Sequence, residues 1–144
     1  CIPSIVGCCV VFASVSELNM YCVIALGITV LGLQYGHIFI SAALDIMNPQ
    51  NEIYATEGTS INNPNEIKST IIAFVVSILF AVIGYVFVME AENSHGAYNT
   101  AFTKLLIIGL VFMISTFVLL ILKIKAFYID RQEASREWKN QLFF

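Results

Sequence analysis

Charge is what this chain has least of. Only 12% of its 144 residues are Asp, Glu, Lys or Arg, 58% are apolar, and the mean hydropathy is +0.83. A soluble domain carries about 25% charged residues. The charges are also missing from whole segments: residues 18–44, 69–89 and 105–122 contain none at all. That pattern excludes an ordinary water-soluble domain. A run of about 20 apolar residues rising 1.5 Å each matches a hydrocarbon layer of about 30 Å. The sequence therefore predicts an all-α, polytopic bundle of transmembrane helices with three complete spans. A fourth apolar run, Ile5 to Val15, is too short to span and reads as part of another helix. It has no basic stretch before it, as a signal peptide needs. A lipid-bearing Cys1 would need a polar tether after it, and the following residues are membrane-like. The chain is thus expected to be the C-terminal part of a longer membrane protein.

Other absences narrow the chemistry. The four cysteines, Cys1, Cys8, Cys9 and Cys22, lie in or beside apolar segments with no Cys-x-x-Cys or Cys/His spacing. They read as small packed hydrophobes rather than metal ligands. There is no glycine-rich phosphate loop, no His-Glu-x-x-His, no Gly-x-Ser-x-Gly and no acid-rich metal motif. The connecting loops hold one histidine, His95, and no cysteine. No catalytic, cofactor or metal residue is expected, and the chain is not expected to be an enzyme by itself. No nucleic-acid partner is expected either.

What charge exists is unevenly placed. Of the seven basic residues, Lys123, Lys125, Arg131, Arg136 and Lys139 follow the last apolar run. Basic flanks resist translocation, so the C-terminus is expected on the cytoplasmic side of a cell membrane. Counting spans backwards makes the 90–104 loop external and the 47–69 loop cytoplasmic. The chain then divides into residues 1–46 (a partial and a complete span), the 47–69 loop, residues 70–122 (two spans and their loop) and a basic tail over 123–144. The tail is expected to continue the last helix along the membrane surface. Phe127, Ala134, Trp138 and Leu142 would share one face of it, suited to the headgroup layer or, alternatively, to a docking partner.

The polar loop punctuates itself. Asn48 can cap a short helix that starts at Pro49, contains Glu52 and Glu57, and ends at Gly58. Asn63, Pro64 and Glu66 repeat the device and place the start of the next spanning helix near Pro64. A connector between antiparallel helices needs only about 2–8 residues, and this one is much longer. Its extra length makes Asn48, Pro49, Glu52, Glu57, Asn63, Pro64 and Glu66 a candidate partner-contact surface; a well-capped connector is the simpler alternative.

Within the first complete span, Gln34, His37, Ser41 and Asp45 fall on one helical face, with Gly27 on the same side. Polar groups are costly in lipid and turn towards other helices or a wet path. They are read as interhelical hydrogen bonding, with a proton or solute role for His37 as the sharper option, since imidazole changes charge near neutral pH. Gly32 and Gly36 form a Gly-x-x-x-Gly pair that permits close helix approach. Ala73, Ser77, Ala81 and Gly84 line a small-residue face on the next span.

Two motifs, "DIMNPQNEIYATEG" after a helix and "NNPNEIKSTIIAF" opening the next, followed by one last helix and a basic "KIKAFY" exit, resemble the C-terminal part of bacterial ABC exporter permeases. The resemblance covers a little over half the chain. Related permeases often carry a lysine-rich loop followed by tryptophan; here the loop is acidic and lacks one. The resemblance implies a membrane-embedded permease subunit of an ATP-driven exporter. Its partners would be the bilayer, the remainder of the same permease and a separate ATPase subunit. The residues alone leave open a secondary transporter, in which Gln34, His37 and Asp45 bind a proton or solute, and a membrane scaffold that transports nothing.

Overall fold

A computed structural model describes residues 19–49, 64–94 and 96–142, with side chains through residue 133. They form three helices in chain order: α1, Met20–Met47; α2, Pro64–Asn93; and α3, Tyr98–Leu142. Each contains a stretch long and apolar enough to cross a membrane, and there is no strand among the described residues. This is an all-α bundle of transmembrane type. The expected partial helix over residues 5–15 lies outside the described residues, as does most of the expected loop helix.

Local chemistry sets the helix ends. Asn19 has extended backbone angles, and its side-chain oxygen accepts from the Tyr21 N–H at 3.1 Å, which caps α1. At the other end Asn48 closes α1, its N–H bonding the Leu44 carbonyl at 3.0 Å. Asn48 itself has left the helical region, with φ −133° and ψ 73°. A residue before proline is crowded out of that region by the ring. The helix expected to open at Pro49 lies, beyond that first residue, outside the described residues. The second proline behaves as expected: α2 starts at Pro64, where the missing N–H is harmless. The connector expected over residues 90–104 is largely helical. α2 continues to Asn93 and α3 resumes at Tyr98, leaving a tight turn with Gly96 at φ +84°. The reason is that the polar residues there mark where the helices leave the apolar layer, not where they stop. Lys104 and Glu90 pair across this turn at 3.1 Å, but both are exposed, so the pair adds little.

α1 packs mainly on α3. At the closest approach a Cβ built on Gly32 would stand 3.2 Å from the carbonyl oxygen of Gly109, and one built on Gly109 would stand 3.0 Å from the methyl of Thr29. One turn on, a Cβ on Gly36 would overlap the Phe112 ring. The Gly-x-x-x-Gly pair thus faces α3 and lets two backbones nearly touch, gaining dispersion contacts along both helices. Cys22, Ala25 and Phe102 form a small core nearer the Gly96 turn, with Leu26, Val88, Tyr98 and Leu106 packed around it. The Cys22 thiol donates to the Asn99 side-chain oxygen at 3.2 Å, in keeping with a packed cysteine.

α2 is held differently. Its buried residues are Asn65 and Ser69 near one end and Ala91 near the other. Its most apolar stretch has no buried residue at all. Large apolar side chains such as Ile71, Phe74, Leu79 and Val82 face outwards. That surface would be intolerable in water and is ordinary in lipid.

Two substitutions separate backbone from side-chain contact. Gly32→Leu is expected to cost about 1–3 kcal/mol by forcing the α1 and α3 backbones apart, read as a fall in Tm in detergent. Phe112→Ala should not restore it. By contrast, the smaller loss from Gly36→Ala should largely disappear in a Phe112→Leu background, because there the obstacle is the far end of a side chain. Equal behaviour of the two glycines would contradict this packing.

Candidate functional site

The polar face of α1 meets α2, not α3. His37 Nε2 lies 2.9 Å from Ser69 Oγ and 3.2 Å from the Ser69 carbonyl oxygen. Eight residues further along α1, the Asn65 side-chain amide donates to Asp45 Oδ1 at 3.2 Å and to the Asn48 carbonyl at 2.8 Å. Asn65 and Ser69 are one turn apart, and both are only 2% exposed. Four interhelical contacts therefore fasten the first turns of α2 to the second half of α1. A buried amide that lost these partners would be left unsatisfied in an apolar setting.

This arrangement fixes the two ends of the polar loop. Asn48 precedes residues 50–63 and Asn65 follows them, so a single side chain ties the departing strand of backbone to the returning one. Of the candidate contact residues, Asn48, Pro49, Pro64 and Glu66 sit around this tie, with Glu66 exposed in the first turn of α2. Glu52, Glu57 and Asn63 lie outside the described residues.

Of the α1 face, His37 and Asp45 are brought into one interhelical system with α2. Ser41 is partly buried between them. Gln34 is turned instead into a cleft of about 470 Å³ walled by all three helices. α1 contributes Leu33, Gln34 and His37; α2 contributes Val76, Ser77 and Phe80; α3 closes the back with Leu105 and Phe112. The small residues Ala73, Ser77 and Ala81 also border it and so widen the cleft; a Cβ built on Gly84 would stand 3.7 Å from Leu105, an ordinary contact distance. No group of three potential metal ligands occurs among the described residues.

Asn65 and Ser69 were not singled out from sequence, although they carry these contacts. The signal was present: Asn65, Ser69, Ala73, Ser77 and Ala81 repeat every four residues, so the small-residue face continues two turns towards the start of α2. The glycine partner Gly109, lone in an apolar run, offered no such pattern. No family model, curated protein or solved structure matches the chain.

The fastening can be measured. Asn65→Leu removes the donor to both Asp45 and Asn48 and should cost about 0.6–1.7 kcal/mol, the range of interhelical hydrogen bonds in membranes. Asp45→Asn keeps an acceptor and should be close to neutral. His37→Leu and Ser69→Ala should each destabilise, and the double variant should lose less than the sum. Full additivity in a thermal-unfolding cycle would contradict the His37–Ser69 contact.

Proposed function

We infer that this chain is the C-terminal part of the membrane-embedded permease of an ATP-driven ABC-type exporter. What carries the reading is the tie at Asn65, which joins both ends of a long acidic loop at one end of the bundle. A connector of that length exceeds what the helices it joins require. Pinned at its base, it is anchored so that a force applied to it reaches α1 and α2 together. The likeness of the loop and of the following segment to exporter permeases adds to this. So does the absence of a phosphate-binding motif, which would reside on a separate ATPase subunit.

In this reading the loop and the C-terminal tail face the cytoplasm, and the protein lies in the cell membrane. Glu52 and Glu57 meet basic side chains of the ATPase. Nucleotide hydrolysis there shifts the bundle between two helix packings. The remainder of the permease supplies helices against the bare apolar flank of α2. Asn65 and Ser69 act in positioning, keeping the loop in register with α1, and the protein performs no chemistry of its own.

The test is purification of the full-length protein together with its bound partners. An ATPase should accompany it, with hydrolysis lowered severalfold by Glu52→Ala together with Glu57→Ala, and also by Asn65→Leu. Preparations free of ATPase, from cells where flux of a solute follows a proton gradient and is lost in His37→Gln, would assign a secondary carrier instead. A protein with neither behaviour would be a scaffold.

A further inference from the structure

We propose that the cleft between the three helices is a binding site for an uncharged, lipophilic molecule carrying a neutral hydrogen-bonding group within its apolar body. The proposal does not depend on the exporter reading.

The first observation is the state of the polar groups in the wall. Several threonine hydroxyls in these helices find a partner one turn back: Thr29 donates to the Ala25 carbonyl at 2.8 Å, and Thr116 to the Phe112 carbonyl at 3.0 Å. Gln34 and the serines Ser41, Ser77 and Ser115 make no hydrogen bond with any described residue. Of these, the partly buried Gln34 and the exposed Ser77 line the cleft. Gln34 stands close to the middle of α1, far from either headgroup layer. Its amide offers two donors and an acceptor at a depth where lipid tails supply no partner. The hydroxyl of Ser77 adds one more donor and acceptor on the opposing helix.

The second observation is shape. α2 buries residues only near its ends, Asn65 and Ser69 at one and Ala91 at the other, while Phe80 near its middle meets the Phe112 ring edge-on at 6.0 Å between centroids. Beside that contact Ala73, Ser77 and Ala81 place little side chain in the gap. The space that results, about 470 Å³, lies within the usual range of small-molecule sites. No Asp, Glu, Lys or Arg lines it, and His37 already holds Ser69 at one end. A charged ligand would find no counter-charge. A pure hydrocarbon would leave Gln34 unsatisfied. An apolar molecule with a hydroxyl, ester or amide part-way along its length satisfies both demands.

The experiment uses the full chain in phosphatidylcholine vesicles and two photoreactive probes: a long alkane bearing a diazirine and a hydroxyl near its middle, and the same alkane without the hydroxyl. The hydroxylated probe should label Leu33 and Val76 about threefold more than its partner, the ratio a single hydrogen bond in a membrane provides. Gln34→Leu, which keeps the side-chain volume, should bring the two probes to the same level. Ala73→Trp, which fills the cleft, should remove labelling there by both while leaving lipid-facing Val111 and Ile114 labelled as before; loss at those two positions as well would mark a misfolded variant, and the cleft is then filled by Ser77→Leu instead. Equal labelling of the wild-type cleft by the two probes, or an excess that survives Gln34→Leu, would overturn the proposal. So would crosslinking from Gln34 to another protein segment in place of the probe, since a helix would then cover the cleft.

Discussion

Everything in this bundle hangs from the near-contact of two backbones, at Gly32 on α1 and Gly109 on α3. In lipid, helices gain nothing by hiding apolar surface from water, so association rests on dispersion at short range and on hydrogen bonds. Glycine at both positions lets the helix axes approach where any larger residue would hold them apart. With α1 and α3 locked as a pair, α2 attaches more loosely, by the polar contacts of Asn65 and Ser69 with α1 and by apolar contacts such as Phe80 on Phe112 with α3. One interface is firm and the other looser. The cleft at Gln34 is the geometric remainder of that difference.

The outline of the fold was legible because lipid imposes a simple rule. A segment that crosses must be long, apolar and self-sufficient in backbone hydrogen bonds, and three charge-free runs meet that rule. Pro64 likewise announced the start of α2, since proline at a first helical position loses nothing. The helix limits were less legible. Charge marks the boundary of the apolar layer, and helices cross that boundary freely, as α2 does to Asn93 and α3 from Tyr98. Asn48 shows a second difficulty: an Asn-Pro pair reads as the cap of a coming helix, and its spacing does not reveal that Asn48 also closes the helix before it.

The polar face on α1 was visible from its spacing, but its destination was not. Periodicity shows that His37 and Asp45 share a side with Gln34; it is silent on which neighbour that side meets. The structure gives Asp45 to the start of α2, Gln34 to the cleft, and His37 to both. Asn65 escaped notice because a polar residue just after a helix start reads as solvated, whereas here it is among the most buried side chains described. The link from this arrangement to a function is chemical rather than motif-based. A tie that holds both ends of a loop makes the loop part of the bundle's mechanics.

α3 has 45 residues in one unbroken helix, with neither proline nor glycine after Gly109. At 1.5 Å per residue it is about 67 Å long, more than twice the hydrocarbon thickness. A rod of that length cannot fold down onto the membrane without a kink, and no residue in its second half supplies the common causes of one. Its outer portion, roughly 30 Å, therefore behaves as an arm rigidly joined to the helix that Gly32 abuts. A change of about 10° in the tilt of α3 at that pivot would sweep the far end sideways by roughly 5 Å or more. A sub-ångström rearrangement between two glycines inside the membrane would thereby become a displacement large enough for another protein to feel.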